Sequence, residues 1–239
     1  LYVTPEYSYT VKKNHISLKM PISYINQQSK DLISSNRRSV NRLFFTPSIA
    51  AIYHLNLLWQ VNAGASYTQD IEGLENGFNG YIMRSYRFLV QNEGELPEKK
   101  SFKYNTSISY RHPIKLVFAS LRGGYFRNSM NLLYGNDFEG FLTLKRTLAV
   151  PNISKGYNFD FNLEKGLDGL VNKINLNAGY NNTENTQLNQ SIIVAFKNIS
   201  YTVGAGLDAK FANWGDLRYS LLYGRSENLI KNDNRDFVP

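Results

Sequence analysis

Side chains able to do acid–base or metal chemistry are few and scattered along this sequence. Histidine occurs three times, at His15, His54 and His112, each beside a short connection between a different pair of predicted strands. A catalytic or metal site needs such groups to converge, so we interpret these histidines as interface anchors. The sequence contains no cysteine, which removes disulfides, thiol catalysis and cysteine-based zinc sites.

Acidic residues in the longer polar segments offer a second possible chemistry. They could form a carboxylate dyad or bind calcium, but their spacing matches no known ligand pattern. The sequence also lacks the G-x-S-x-G, phosphate-loop and H-E-x-x-H motifs. It therefore predicts no enzyme, no cofactor and no metal site. The acidic residues concerned are Asp70, Glu72, Glu75, Glu93, Glu95 and Glu98.

Ligand binding by a long loop is the chemistry that the sequence favours. The segment from Asp70 to Lys100 is the longest connection between predicted strands, and it contains both tyrosine and arginine. Aromatic rings, which provide contact area, and the planar guanidinium group of arginine are both common at binding surfaces. The predicted ligand-contact residues are Tyr81, Arg84, Tyr86 and Arg87.

Period-two alternation predicts the elements that position this loop. Apolar and polar residues alternate through Leu57–Thr68, Phe102–Arg111 and Ile199–Phe211. The longest alternations run for roughly 9–13 residues, whereas strands of globular proteins average about 5–6. A tilted strand needs about 9–11 residues to cross a membrane. No stretch approaches the roughly 18 apolar residues of a membrane helix, so the pattern predicts membrane-spanning strands.

We predict about ten antiparallel strands, whose connections are alternately tight and long. Tight turns on one side and long loops on the other are typical of bacterial outer-membrane barrels, where the loops are extracellular. The predicted strands are roughly 1–12, 15–28, 41–54, 57–69, 101–111, 114–130, 141–165, 171–184, 190–211 and 216–226. The predicted long loops are Ser29–Val40, Asp70–Lys100, the Gly135–Asp137 region and Asn185–Asn189.

Composition agrees with a two-faced membrane wall. Of the 239 residues, 14% are aromatic and 42% hydrophobic, and the mean hydropathy is −0.38; a barrel averages so low because only alternate residues face lipid. The net charge of +8 comes from scattered residues without a Lys/Arg block, which argues against nucleic-acid binding. Leu1–Lys13 does not resemble a signal peptide, and both ends look like cuts, so we expect a segment of a longer protein.

Two blocks resemble TonB-dependent receptors, especially the Bacteroidetes outer-membrane β-barrel family. Leu43–Ser48 followed by Ile52–Leu55 is similar to a descending strand of that family. Leu96–Ser101, followed by Tyr104 and Ser109–Arg111, is similar to the segment that re-enters the membrane. The Asn-Pro pair of the family is replaced here by Asn92–Glu95. The resemblance covers residues 43–126, and the rest of the chain matches only in its rhythm of strands and loops.

The resemblance implies a Gram-negative outer-membrane importer whose complete barrel has about 22 strands around a plug. This chain would then supply part of the wall and some capture loops, while TonB would act through a plug that the chain lacks. Further expected partners are outer-membrane lipid, lipopolysaccharide and a possible surface lipoprotein. Candidates for lipopolysaccharide phosphates are Arg37, Arg38, Arg42, Arg84, Arg87, Lys99 and Lys100. The alternatives are a self-contained ten-strand pore or enzyme, an assembly or secretion scaffold, and a soluble β-sandwich adhesin.

Overall fold

A computed structural model of the chain describes residues 1–30, 37–71, 79–93, 96–167, 171–189, 192–212 and 215–232. These residues form strands joined by turns and short irregular stretches, as the alternation predicts. The strands are β1 (Tyr2–Val3), β2 (Glu6–Val11), β3 (Asn14–Lys19), β4 (Ile22–Lys30), β5 (Arg37–Phe45), β6 (Ser48–His54), β7 (Trp59–Ile71), β8 (Asn79–Ser85), β9 (Phe88–Glu93), β10 (Glu98–His112), β11 (Val117–Met130), β12 (Leu133–Glu139), β13 (Leu142–Leu148), β14 (Asn152–Gly166), β15 (Val171–Asn189), β16 (Ile192–Ala212) and β17 (Gly215–Asn232).

The described part of the chain forms one antiparallel wall of ten columns, where a column is one strand or two consecutive strands that lie in line. Three columns are interrupted strands, namely β1 with β2, β3 with β4, and β5 with β6. The wall continues through β7, β10, β11, β14, β15, β16 and β17, and each column pairs with the next. The predicted number of about ten strands is therefore confirmed.

Prolines cause the three interruptions, which lie side by side. Pro5, Pro21 and Pro47 each lack an amide donor, so the ladder breaks at each of them. Their carbonyl groups still accept bonds from the next strand and keep the columns together. The donor and acceptor pairs are Met20 N to Pro5 O at 2.9 Å, Thr46 N to Pro21 O at 3.0 Å and Tyr67 N to Pro47 O at 2.9 Å.

Both faces of the wall stay in register across neighbouring strands. Cross-strand partners point to the same side of a sheet, so each set of paired residues forms a row on one face. One row of the apolar face consists of Ile108, Leu121, Phe161, Ala178 and Val203. The adjacent row of the polar face consists of Ser107, Arg122, Asp160, Gly179 and Thr202. The alternation seen in single strands therefore holds over the wall, as expected for an apolar exterior and a polar lumen.

Aromatic rings lie towards both ends of the apolar face. At the tight-turn end, the ring centroids of Trp59 and Tyr110 are 4.8 Å apart. Towards the loop end, those of Tyr180 and Tyr201 are 5.1 Å apart. On β10, the eight residue steps from Phe102 to Tyr110 cover about 26 Å of strand, or about 20 Å of membrane normal at a tilt of about 40°. That distance spans most of the about 25 Å apolar band of a barrel.

Tight connections lie at one end of the wall, as predicted. Short turns join β2 to β3, β6 to β7 and β10 to β11. Lys12 and Leu116 adopt positive φ angles of 56° and 51° in two of these turns. At the same end, Ala212 of β16 pairs with Gly215 of β17, which leaves only a two-residue connection between them.

The structure corrects several predicted boundaries at the opposite end. The predicted strand 141–165 is wrong, because β13 and β14 are separated at Ala149–Pro151, where Pro151 provides no amide donor. The predicted loop Asp70–Lys100 contains the β8–β9 hairpin, and the Gly135–Asp137 region lies within β12. The predicted loop Asn185–Asn189 is wrong, since these residues are the outer end of β15.

The β8–β9 and β12–β13 hairpins extend the sheet of the wall from the outer end of β15, and this extension is here called the loop sheet. Its order is β15, β12, β13, β9 and β8. β12 pairs in parallel with β15 through Gly135 and Leu188, and β13 pairs in parallel with β9 from Thr143 to Arg146. The β8–β9 and β12–β13 hairpins are far apart in sequence, but these parallel contacts join them into one structure.

Burial is concentrated where the loop sheet joins the wall. Leu132 and Leu133 are 1% exposed, and Pro97 is buried equally deeply. By contrast, large apolar side chains of the wall remain open, with Leu121 49% and Val203 57% exposed. The described residues include no helix long and apolar enough to cross a membrane.

Candidate functional site

The four predicted ligand-contact residues lie together on the β8–β9 hairpin. Tyr81 and Arg84 belong to β8, whereas Tyr86 and Arg87 form the turn that follows it. The guanidinium carbon of Arg87 lies 4.7 Å from the ring centroid of Tyr86, a cation–π contact worth about 0.5–1 kcal/mol at an exposed site. Tyr81 and Tyr86 are 62% and 68% exposed. The hairpin therefore presents rings and a cation to solvent, and their use in ligand binding stays a prediction.

The β12–β13 hairpin presents a second exposed tip, which was not predicted from the sequence. Phe138 and Phe141 are 60% and 69% exposed, and they flank Gly140, whose φ of 62° closes the turn. Because β13 pairs with β9, both tips belong to the same loop sheet. A glycine between two short alternating stretches was the available signal for this turn.

Asn131 fastens the bases of both hairpins to each other. Its Oδ1 accepts a hydrogen bond from the Glu98 backbone amide at 2.7 Å, and its Nδ2 donates to the Leu96 carbonyl at 3.0 Å. Asn131 lies where β11 passes into β12, and Leu96 and Glu98 lie where β9 passes into β10. One partly buried side chain therefore couples the positions of both tips.

The Leu96–Ser101 block, which carries part of the family resemblance, holds this junction in place. Arg42 Nε donates to Glu98 Oε1 at 2.7 Å, with the two side chains 53% and 24% exposed. The buried Ser101 donates through Oγ to Asn128 Oδ1 at 2.6 Å. These contacts tie β5, β10 and β11 together directly below the loop sheet, so the block positions the candidate site.

The polar face of the wall lines a groove of about 690 Å³. Its side chains are mostly amides and hydroxyls, joined by two arginines and one glutamate. Asn62 Nδ2 donates to Ser107 Oγ at 3.1 Å, and Gln60 Nε2 donates to Asn62 Oδ1 at 2.8 Å. The charged residues of the groove are Arg111, Arg122 and Glu164. Such a hydrophilic surface suits the lumen of a barrel.

Glycines of the polar face lie beside asparagine side chains of neighbouring strands. A Cβ at Gly64 would lie 3.2 Å from Asn105 Oδ1, and one at Gly124 would lie 2.5 Å from Asn158 Oδ1. The same arrangement recurs for Gly204 with Asn177 and for Gly206 with Asn175. Without side chains on the glycines, the amide groups can lie along the wall and leave the groove open.

The histidines lie at the tight-turn end on three hairpins, as predicted. His15 Nδ1 is 2.8 Å from Thr10 Oγ1, the His54 amide donates to Asn14 Oδ1 at 2.8 Å, and His112 Nδ1 accepts from the Lys115 amide at 3.1 Å. Within the described residues, no group of three His, Asp or Glu side chains could hold a metal.

Several of the charged residues singled out from the sequence have defined surroundings. Arg42 is paired with Glu98, and Arg87 lies over Tyr86. Asp70 accepts from the Ile71 amide at 2.8 Å through its own Oδ1. Glu72, Glu75 and Glu95, together with the side chains of Arg37, Arg38 and Glu93, lie outside the described residues.

Comparison with solved structures identifies the architecture. The chain is similar to the outer membrane transporter YddB from Escherichia coli, with a TM-score of 0.53 and 11% sequence identity. The match covers 96% of this chain and 34% of that structure, so the chain spans about a third of the length of its structural relative. No protein-family model and no curated protein matches the sequence.

This likeness shows the fold: the chain is an antiparallel wall of the outer-membrane barrel type. The predicted fold class is therefore confirmed.

Proposed function

We propose that this chain is part of the wall and extracellular surface of an outer-membrane importer of the TonB-dependent receptor class from a Gram-negative bacterium, in the style of the Bacteroidetes. The loop sheet captures a ligand outside the cell. The ligand then passes through a lumen lined by the polar face and gated by a plug supplied elsewhere in the full protein. The chain performs no chemistry on the ligand.

One observation supports this proposal most strongly. The wall is apolar on one face and polar on the other in continuous register, and a packed loop sheet rises from the end opposite the tight turns. A passive scaffold requires only the wall. A paired sheet with exposed tips at Tyr86–Arg87 and Phe138–Phe141 instead provides a defined capture surface at the mouth of the lumen.

The chemistry of the tips limits the ligands that they suit. Exposed aromatic rings stack on planar or sugar-like faces, and arginine pairs with carboxylates or phosphates. A siderophore or a glycan that carries acidic groups fits this combination. TonB, acting through the plug, and a surface lipoprotein are the proposed protein partners.

Growth of a deletion strain tests the proposal. The parent gene is deleted, and growth is measured with single iron–siderophore complexes and with single glycans as the limiting nutrient. We expect slow growth on at least one of them, and rescue by the wild-type gene only when TonB is present. A Tyr86→Ala/Arg87→Gln variant should rescue less well, whereas a matched Lys12→Gln variant at the tight-turn end should rescue fully.

The outcomes separate the proposal from its alternatives. Unchanged growth of the deletion strain on every nutrient contradicts import. Rescue without TonB supports a passive pore, and loss of other surface proteins in the deletion strain supports an assembly or secretion scaffold.

A further inference from the structure

A row of charged side chains crosses four wall strands on the apolar face, close to the loop sheet. Arg127 of β11 pairs in register with Lys155 of β14, Lys155 with Glu184 of β15, and Glu184 with Lys197 of β16. Each residue shares the side of its strand with the apolar row described above. These charges therefore lie on the exterior of the wall, outside the polar groove.

The charges in this row do not cancel. Lys155 Nζ lies 3.1 Å from Glu184 Oε2, and Lys197 Nζ lies 3.6 Å from Glu184 Oε1, so one carboxylate bridges two ammonium groups. Arg127 is exposed and forms no ion pair with another described residue. Three cations and one anion leave a surplus of two positive charges. Lys155 and Glu184 retain 53% and 35% side-chain exposure, so the cluster is accessible.

A recess in the surface at this position could hold a ligand beside the charged residues. Its volume is about 440 Å³, and its lining includes Arg127, Lys155 and Glu184 together with Tyr125 and Ile153. The lining therefore combines a polar, cationic part with an apolar part. An amphiphile with an anionic head matches both parts, whereas a purely hydrophilic ion matches only the first.

Tyrosines in the next two rows mark the depth of the site. One row towards the tight turns, Tyr157 OH accepts from Asn182 Nδ2 at 2.8 Å, and Tyr180, in the row after that, has its ring centroid 5.7 Å from that of Tyr157. Tyrosine rings gather at the boundary between hydrocarbon and headgroups. Charges one step beyond such rings, on the lipid side of the wall, lie at the level of the lipid headgroups.

We propose that Arg127 and Lys155, the two cations that line the recess, bind a phosphate group of a phosphorylated outer-leaflet glycolipid of the lipid A class, while Glu184 partly neutralises Lys155 and Lys197. This inference rests on the outer-membrane location proposed above. The site lies on the wall and is separate from the basic residues of the loops. Phosphate is the group that matches the cations, and the apolar part of the recess selects a lipid over free phosphate.

Lipid retention by the full-length protein tests the site. The protein is purified from outer membranes in mild detergent, inserted into nanodiscs containing bisphosphorylated lipid A, and its bound lipid is counted by native mass spectrometry. Each basic residue near a lipid surface contributes about 1 kcal/mol, so Arg127→Gln/Lys155→Gln should weaken binding about 30-fold. The matched control is Arg122→Gln, which lies on the polar face of the same strand as Arg127 and should leave retention unchanged.

A variant with an effect of opposite sign strengthens the test. Glu184→Gln removes the only negative charge from the row and should tighten binding about fivefold by the same electrostatic argument. A merely structural role for Glu184 predicts weaker binding instead. Folding of every variant is checked by its heat-dependent mobility on gels, and a variant that fails to fold is replaced by Arg127→Gln alone, with an expected loss of about fivefold.

Two further measurements distinguish lipid-bound phosphate from free phosphate as the ligand. Dephosphorylated lipid A should bind no better to the wild type than to the double variant, and inorganic phosphate at millimolar concentration should not displace bound lipid A. Equal retention by the double variant and the Arg122→Gln control overturns the site, and displacement by inorganic phosphate overturns its lipid occupant. If growth assays contradict import while lipid retention follows this pattern, the proposed function fails and the lipid site stands.

Discussion

Replacing Asn131 by alanine should release the loop sheet from the wall without unfolding the wall. The side chain makes two hydrogen bonds, to the Glu98 amide at 2.7 Å and to the Leu96 carbonyl at 3.0 Å. Both partners flank Pro97, which is buried, so no solvent replaces the lost bonds easily. Leaving a buried polar group unsatisfied costs about 1–3 kcal/mol, and two such groups in this partly buried setting cost about 2–4 kcal/mol together.

Hydrogen exchange measures this loss directly. A change of about 2–4 kcal/mol corresponds to an increase of about 30- to 700-fold in local opening. Amides of β9, β12 and β13 should exchange faster by that factor in Asn131→Ala, while those at the tight-turn ends of β10 and β11 keep their protection. The matched control is Asn136→Ala, which removes an exposed amide side chain from β12.

The result that would refute this reasoning is specific. If Asn131→Ala exchanges like Asn136→Ala throughout β9, β12 and β13, the two hydrogen bonds do not secure the loop sheet. If protection is lost equally along all of β10 and β11, Asn131 supports the wall as a whole, and the hairpins are not a separable unit.

Three further predictions concern the wall and its junctions. Leu121→Arg places a charge on the apolar face and should lower the free energy of unfolding in lipid vesicles by about 3–5 kcal/mol, of which about 2–4 kcal/mol come from arginine near the membrane midplane and about 1 kcal/mol from the lost half-exposed leucine. Ser120→Arg, on the polar face, should change the free energy of unfolding by less than about 1 kcal/mol. Equal losses in the two variants would contradict the assignment of the faces. Gly156→Ala should destabilise the wall by about 1–3 kcal/mol in urea titrations, because its Cβ would lie 2.6 Å from the Asn182 carbonyl oxygen. In Gly124→Ala the new Cβ meets only the movable Asn158 side-chain amide, at 2.5 Å, so this variant should be better tolerated. A larger loss of stability in Gly124→Ala than in Gly156→Ala would count against this packing. Arg42→Gln should lower stability by at most about 1 kcal/mol, with an effect that shrinks in high salt, and a larger or salt-independent loss would show that its contact with Glu98 is more than an exposed ion pair.

The wall could be predicted from the sequence because each strand carries its own signal. In Leu57–Thr68 and Phe102–Arg111 the side-chain period of two decides which residues share a face, and no distant residue alters that assignment. Strand length and the sorting of turns from loops then indicate the barrel class. These signals are local, and the structure agrees with them.

The loop sheet could not be predicted, because its pairing is not local. β9 and β13 pair in parallel across about fifty residues of chain, and no pattern in either segment identifies its partner. Ala149–Pro151 interrupts two alternating stretches with only a proline as a signal, so 141–165 looked like one strand. Asn131 is an ordinary polar residue in sequence, and its role depends on where Leu96 and Glu98 lie in space.

A spin-label scan along β11 tests the central claim most directly, namely that this chain is a membrane wall with a lipid face and a lumen face. This chain has no cysteine, so single cysteines are introduced from Val117 to Met130 after any cysteine elsewhere in the full-length protein has been replaced by serine. In the full-length protein in lipid vesicles, odd positions such as Leu121 and Tyr125 should be accessible to oxygen dissolved in lipid, and even positions such as Ser120 and Arg122 to a water-soluble nickel reagent. Accessibility that does not alternate, or that alternates with the opposite parity, would contradict the account.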